Sequence, residues 1–306
     1  MDNMTQKELN IGAEDVQERL DKVLVKHNED YSRHQMQLLI KEGKVLVNGK
    51  KVKPNYKCKL SDVVTWTLKE ETKQRLEPES LPLSILYEDE AIIVIDKPRG
   101  MLVHPTERVF SGTLVNALLN YTDELATLSG KERPGIVHRL DQHTSGVMVI
   151  CKTNDSYEKL KNQFKKKSVT RYYEAIVHGN LTHEKGTIKA PIGRHPKNRL
   201  KRTVIADGKE AETNFKVLAN TKDYSHVQCQ LITGRTHQIR VHMKYINHPI
   251  VGDPLYSRKK SPYIEHQALI ARTLGFIHPL TKEYVEFTCE RPEWFKKLLL
   301  LFHLKA

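Results

Sequence analysis

The feature that most constrains this chain is a break near residues 70–82. There the string EETKQRLEPES is polar, charged and proline-containing, with apolar-periodic sequence on either side, which is the pattern of a linker between separately folded parts. The expected layout is a tail over residues 1–12, a small module over 13–69, the linker over 70–82 and a larger domain over 83–306. A chain of 306 residues is long enough for one large core and one small extra core. No internal repeat or extended low-complexity tract interrupts it.

The small module opens with a short helix over Arg19 to Leu24, with Leu20, Val23 and Leu24 on one face. A second helix runs from Ser32, an N-cap residue, through Met36, Leu39 and Ile40 to a C-cap at Gly43. VLVNGKKV then reads as two short strands around Asn48-Gly49, a dipeptide suited to a tight hairpin turn. SDVVTWTL supplies another strand.

In the larger domain, LSILYEDEAIIVIDKP reads as two strands joined by an acidic turn and stopped by Pro98. A helix is expected from Thr113. GVMVICKT reads as a buried strand leading to a helix with a capping box Asp155-x-x-Glu158, and with Tyr157, Leu160 and Phe164 on one face. YYEAIVHG, HVQCQLIT and YVEFTCE read as strands. Helices are expected near Thr236 and after Pro292, a favourable first helical position. Strands outnumber helices and their connections are mixed, so the fold class is α+β around an extended mixed sheet.

The formal charge is +13 with an isoelectric point near 9.4, which favours polyanionic partners, nucleic acid ahead of an anionic membrane. Charge alone leaves open a merely basic soluble protein. The start of the chain is acidic and lacks an apolar core, so no secretory signal is read there. The run LLLLF at 298–302 is too short to span a bilayer. Cys58, Cys151, Cys229 and Cys289 are widely spaced without a Cys-x-x-Cys pair, which argues against a zinc ribbon or a disulfide framework. A reducing, cytoplasmic location is the expectation.

The string RLDKVL…SRHQMQLLIKEGKVLVNGKKVKPNYKCKLSDVV resembles the S4 RNA-binding domain over nearly the whole small module. Arg33, Lys41, Lys44, Lys50, Lys51 and Lys53 fall on one helix–turn–strand unit, where they could meet phosphates spaced along a folded RNA. Such contacts give affinity and position but little sequence information.

A second signal is RPGIVHRLDQHTSGVMVICKT, residues 133–153. A polar loop, HRLDQHTSG, is bounded by apolar sequence, so Asp141 lies next to a buried strand. Thr144 and Ser145 can hydrogen-bond the loop, and Gly146 can relieve backbone strain before the strand. A lone loop aspartate is more often an Asx-turn. The company decides: HRLDQHTSG resembles the signature of the RluA-type pseudouridine synthases. DKPRGMLVHP (96–105), GTLVNALL (112–119), RYYEAIVHG (171–179), LITGRTHQIRVHMKYINHPIVGDPLY (231–256) and FIHPLTKE (276–283) match that family's blocks in order. The resemblance covers most of residues 83–290. One departure is Ile270 in HQALIARTLGF, where the family's pattern has a histidine.

The resemblance implies a pseudouridine-synthase-like domain with a mixed, mostly antiparallel sheet. It implies Asp141 as the catalytic aspartate, Tyr173 rather than Tyr172 as the tyrosine stacked on the target base, and Arg235 as the arginine paired with Asp141. Arg139 would fill the gap left by the flipped uridine. Extruding a base costs roughly a few kcal/mol, and stacking it on an aromatic ring returns roughly 1–3 kcal/mol. A carboxylate beside a guanidinium stays ionised, as a nucleophile or base requires. The reaction detaches and re-attaches the same uracil through C5, so no cofactor is expected and no nucleotide is consumed.

Other constellations are weaker. His138 with His143 and His237 with His242 are i, i+5 pairs, poor helical spacing for shared metal ligation, so no metal is expected. There is no phosphate-binding Gly-x-x-x-x-Gly-Lys-Ser/Thr loop. The lysines at 159, 161, 165, 166 and 167 and the run KNRLKR at 197–202 lean toward RNA-backbone contact. The reading is therefore a pseudouridine synthase acting as a monomer on structured RNA, ribosomal RNA ahead of transfer RNA, with no membrane partner. The rivals are a non-catalytic S4-type RNA-binding or ribosome-assembly factor and an N-glycosidic hydrolase.

Overall fold

The computed structural model describes residues 4–28, 31–69, 76–106, 109–130 and 132–304. It divides into two compact units, residues 1–75 and 76–306.

The first unit contains β1 (Met4–Asn10), a 3-10 turn (Ala13–Asp15), α1 (Leu20–Lys26), α2 (Arg33–Lys41), β2 (Val45–Val47), β3 (Lys50–Lys51) and β4 (Val63–Lys69). Its four-stranded sheet has the order β1-β4-β2-β3. Leu20, Val23, Leu24, Met36, Ile40, Val45 and Val64 form its core. Ser32 begins α2 with a full capping box to Gln35, and Gly43 turns the chain away at φ +71. Asn48 and Gly49 both have positive φ (+50 and +73), as the hairpin requires. The expected tail over 1–12 is a difference: Met4–Asn10 pairs along its whole length with β4, and Ile11 is buried. Its alternation is masked in sequence because Gln6, Lys7 and Glu8 are polar.

The second unit follows as β5 (Ser84–Glu88), β6 (Ile92–Lys97), α3 (Leu114–Tyr121), β7 (Ser145–Cys151), α4 (Asn154–Lys166) and β8 (Thr170–His178). Next come β9 (Lys185–Lys189), β10 (Ile192–Arg194), β11 (Arg202–Val204), β12 (Glu212–Asn220) and β13 (Tyr224–Leu231). It ends with α5 (Gln238–Tyr245), β14 (Leu269–Ile277), β15 (Tyr284–Thr288) and α6 (Glu293–Leu301). A nine-stranded sheet runs β5-β6-β7-β14-β8-β13-β12-β9, with β15 on β14. All its pairs are antiparallel except β7 with β14. The fold is the α+β arrangement read from the sequence.

The central strands are buried on both faces, and period-two alternation divides them between two cores. Ile93, Ile95, Met148 and Ile150 enter the larger core. Ile92, Val94, Val147, Val149 and Cys151 enter the other, where Leu160, Tyr157 and Phe164 of α4 cover them. The cap of α4 is Thr153, two residues before the expected Asp155, because the Thr153 hydroxyl accepts from Ser156 N–H. Asp155 and Glu158 instead pair with Lys159 and Lys161. Pro292 is the N-cap of α6, one position earlier than expected. Strands β9 to β12 and β14 were not read from the sequence.

Half of the expected linker is part of the second unit, while residues 70–75 lie outside the described residues. Leu76 packs on the larger core. Asn116 Nδ2 donates to Glu77 O at 2.7 Å, and Glu79 N donates to Asn116 O at 3.0 Å, so this segment is strapped to α3. All four cysteines are buried as free thiols, and burial pushes them up to about 11 or about 12. Among the described residues no helix is long and apolar enough to cross a membrane.

Candidate active site

One cross-strand row organises the site: Lys97, Gly146, Ala271, Tyr173, Cys229 and Phe215 stand opposite one another on β6, β7, β14, β8, β13 and β12. Gly146 is required there. Its φ is +123, and a Cβ would lie 2.1 Å from Ala271 O, so only glycine lets β14 approach β7. Asp141 thus sits on a loop that enters the sheet where Tyr173 is two strands away. Thr144 N closes the loop onto Asp141 O at 3.0 Å, and the Thr144 hydroxyl accepts from Gln267 at 3.3 Å. Ser145, expected to brace the loop as well, has a buried hydroxyl without a hydrogen-bond partner among the described residues.

Asp141 lines a cleft of about 330 Å³ together with Arg139, Arg171, Tyr173, Arg235 and Arg240. Its Oδ2 accepts from Arg240 Nη1 at 2.9 Å. Arg240 is itself fixed by Asp253, which takes Nε at 2.7 Å and Nη2 at 3.0 Å in a fork. Asp253 Oδ1 also accepts from the backbone N–H of Leu255 and Tyr256. Burial works against the Arg240 charge, but Asp253 and Asp141 outweigh it and raise its pKa.

This corrects the expected partner of Asp141. Arg235 does not reach it; its Nε donates to Glu210 O at 2.9 Å and its backbone N–H to Gln238 Oε1 at 2.9 Å. Arg235 lies in the turn before α5, so it stands at the cleft rim, whereas Arg240 is inside the helix and buried. The string GRTHQIR carries both arginines. The signal that favours the second is that Gln238 to Met243 are all buried, so a cation in that stretch needs a carboxylate.

Tyr173 lines the cleft and Tyr172 does not, as strand alternation dictates. Burial pushes the Tyr173 phenol up to about 12, so it stays protonated. Arg139 is exposed, its Nη1 donating to His104 Nε2 at 3.4 Å.

Three further groups hold places in the site that the sequence did not suggest, His237 having been weighed only as a metal ligand. His237 takes a left-handed backbone, φ +59, at the start of α5, with Nδ1 2.8 Å from Tyr256 Oη and Nε2 3.9 Å from Asp141 Oδ1. Burial lowers its pKa despite the attraction of Asp141. Lys97 is fully buried, and its ammonium donates to the carbonyls of Pro98, Met101 and Gln142, tying the DKPRG turn to the Asp141 loop. Burial lowers it to about 7, against the pull of Asp141 and Asp96. Arg171 is buried, donates to the carbonyls of Leu231 and Ile232, and lies over the Phe164 ring. Among the described residues no group of three or more His, Cys, Asp or Glu side chains is arranged to hold a metal ion.

Residues 91–245 match the model of the RNA pseudouridylate synthase family, and residues 18–64 match the S4 domain. A Bacillus subtilis protein described as an uncharacterized RNA pseudouridine synthase, YlyB, is 48% identical across 97% of this chain and 98% of its own. Ribosomal large subunit pseudouridine synthase D of Escherichia coli is 39% identical across 90% of this chain and 88% of its own. The chain belongs to the RNA pseudouridylate synthase family. Human RNA pseudouridylate synthase domain containing 1 shares the fold at a TM-score of 0.58, with 25% identity over 70% of this chain and 85% of that one.

The synthase therefore isomerises uridine to pseudouridine in RNA, and its first unit is an S4 domain. In that unit Lys41, Lys50, Lys51 and Lys53 are exposed. Lys44 is exposed as well and pairs with Glu42 at 2.6 Å. Arg33 differs from the others: its Nε donates to the buried Asp21 at 3.1 Å, so part of its fork is already committed inside the unit.

Proposed function

We propose that this synthase isomerises particular uridines of large-subunit ribosomal RNA, with Asp141 as the reacting carboxylate. The observation that carries the assignment is the state of the Asp141 carboxylate. Oδ2 is held by a doubly anchored arginine, while no hydrogen bond among the described residues reaches Oδ1 in a cleft that Tyr173 also lines. A carboxylate oxygen with a free lone pair facing the cleft is what a nucleophile or base needs. In the reaction the N1–C1′ bond breaks, the uracil turns, C5 bonds to C1′, and the C5 proton leaves as N1 gains one. Tyr173 supplies the stacking face for the extruded uracil. Arg240 orients Asp141, Arg235 meets the RNA at the rim, and Arg139 fills the vacated stack.

The S4 cations, with α4 and the 197–202 loop, supply phosphate contacts. Support for the ribosomal substrate comes from the relatives named for the large subunit. We read the synthase as a cytoplasmic monomer, and gel filtration of the RNA-free protein tests the second half of that reading. The test is carbodiimide mapping of ribosomal RNA from cells with and without the protein, complemented by wild type or by Asp141→Asn. One or more large-subunit uridines should become reactive only with wild type. Unchanged large-subunit maps would overturn the substrate assignment. Restoration by Asp141→Asn would overturn the residue. Arg139→Ala should lose most activity on folded RNA and least on a short unpaired strand; equal loss on both would remove the flipping role.

A further inference from the structure

The Asp141 loop also walls a second cleft, of about 540 Å³, lined by Arg99, His143, Tyr263, Glu265, His266 and Trp294. Flat groups dominate it. The Arg99 guanidinium lies 4.5 Å over the Trp294 ring and is fixed there by donating to His266 O at 2.7 Å. The His143 and His266 rings stack at 3.4 Å with 7° between their planes. Tyr263 keeps 56% of its surface exposed, with its ring resting edge-on against Phe302 at 5.8 Å. The surroundings are electropositive: burial first, then the charges of His266, Arg99, Lys97 and Arg240, depress His143 to about 4. Glu265 adds one acceptor to this set of rings and donors. That mixture suits a nucleobase, with a π face and both donors and acceptors on its edge, better than a bare phosphate.

We propose that this second cleft is a nucleotide subsite, taking an unpaired base of the same RNA within a few nucleotides of the target uridine. The proposal rests on the RNA-modification reading. Asp141 and His143 are two residues apart, a span of at most about 7 Å. A nucleic-acid strand advances about 3.4 Å per nucleotide in a helix and can stretch further when unpaired, so one substrate can reach both clefts. Occupancy beside the catalytic loop would add specificity for the sequence next to the target without touching the reacting atoms.

The test is a cycle between protein and RNA. Wild type, Tyr263→Ala, Tyr263→Phe and Trp294→Leu are each measured for binding and single-turnover rate. The RNAs carry one abasic residue at each of the three nucleotides on either side of the target. At one position the missing base should weaken wild-type binding about tenfold, in the range of a lost base–aromatic stack. It should cost Tyr263→Ala almost nothing further, and Tyr263→Phe should behave as wild type. Tyr263 is exposed, so its replacement leaves the fold intact, and Trp294→Leu repeats the test from the other wall. Purely additive losses at every position would overturn the subsite. So would displacement by free nucleoside monophosphates without any abasic effect, which would assign the cleft to a small nucleotide. If the intact RNA yields no pseudouridine, the substrate reading fails, while the binding cycle still decides the subsite.

Discussion

Asp21 in the S4 unit and Asp141 in the catalytic unit are both held by arginine, yet their oxygens are used differently. Asp21 is fully buried. Its Oδ1 accepts from Arg19 at 3.0 Å, and its Oδ2 accepts from Arg19 at 3.0 Å, Arg33 at 3.1 Å and Gln37 at 2.5 Å. Burial alone would raise its pKa, but these donors hold it at about 2. Asp141 keeps 19% of its side chain exposed and, among the described residues, takes one hydrogen bond on Oδ2 and none on Oδ1, which faces the cleft. Asp253, in the same unit as Asp141, is saturated like Asp21. Saturation, rather than the presence of arginine, separates a carboxylate that builds from one that reacts.

The sharpest way to break this comparison is to neutralise each aspartate. Asp141→Asn should lower the single-turnover rate by about 10⁴-fold or more, as loss of a nucleophile or base does. RNA affinity should stay within a few-fold and the melting temperature should hardly move. Asp21→Asn should do the reverse. The arginines left behind are nearly half exposed and can be hydrated, so the loss is that of buried hydrogen bonds to a charged group, about 1.5–3 kcal/mol. The S4 unit should melt earlier while the chemical rate on saturating RNA is kept. If Asp141→Asn keeps wild-type turnover, or if Asp21→Asn leaves melting unchanged, the distinction fails.

The two arginines of GRTHQIR give the next largest effect. Arg240→Met leaves Asp253 buried and unpaired as well as freeing Asp141, so a destabilisation of about 3–5 kcal/mol is expected together with a large loss of rate. Arg240→Lys cannot form the fork and should recover only part of either. Arg235→Met touches a half-exposed side chain bonded to a carbonyl, so stability should change by less than about 1 kcal/mol. Its effect should fall on RNA affinity. Denaturant titrations beside single-turnover kinetics read both, and equal destabilisation by the two substitutions would return Arg235 to the role first read for it.

That pair of residues also marks where the sequence stops being legible. Local signals resolved well: the Ser32 cap, the Asn48-Gly49 turn, and the Asp141 loop before a buried strand are each written within a few residues. The Arg240–Asp253–Asp141 chain is not, because it joins three segments that only the sheet and α5 bring together. The strand Met4–Asn10 was missed for a related reason. Its pairing is supplied by β4, more than fifty residues away, and its own side chains carry little alternation. Nothing local to DKPRG marks Lys97, and only the fold shows it buried on three carbonyls.

A smaller effect should appear in the pH dependence of stability. His138 is the first residue of the reactive loop, and its Nε2 accepts from Val149 N–H at 3.1 Å, so the folded protein requires the neutral ring. Burial depresses it from 6.5 to about 3. The sign follows from proton counts: between those values the unfolded chain binds a proton that the folded chain refuses. Stability is therefore full above about pH 6.5 and falls as pH drops toward 3, by up to about 1.4 kcal/mol per pH unit for one proton. His138→Gln should remove that share, giving a shallower fall of melting temperature over the same window than wild type. An identical slope in both proteins would show that His138 does not titrate as its environment requires.

The smallest effect expected concerns the S4 cations, and it asks whether a residue engaged by Asp21 can also serve RNA. Lys53 and Lys50 are exposed, so Lys53→Ala should remove about one phosphate contact. The expected signature is a few-fold weaker affinity and a fall of roughly 0.7–0.9 in the slope of log affinity against log salt, with no change in melting. Arg33 has about half of its side chain exposed while its Nε is bonded to Asp21. Its remaining guanidinium nitrogens can still face solvent, so the two roles are separable by measurement. Arg33→Ala leaves Asp21 with Arg19 and Gln37, which limits the destabilisation to about 1 kcal/mol. If the salt slope of Arg33→Ala equals that of wild type, Arg33 belongs with Asp21 to the architecture alone. If it falls as far as that of Lys53→Ala, the same cation both holds the S4 helices and meets the RNA, and losing this contact, unlike that of Lys53, costs stability as well as affinity.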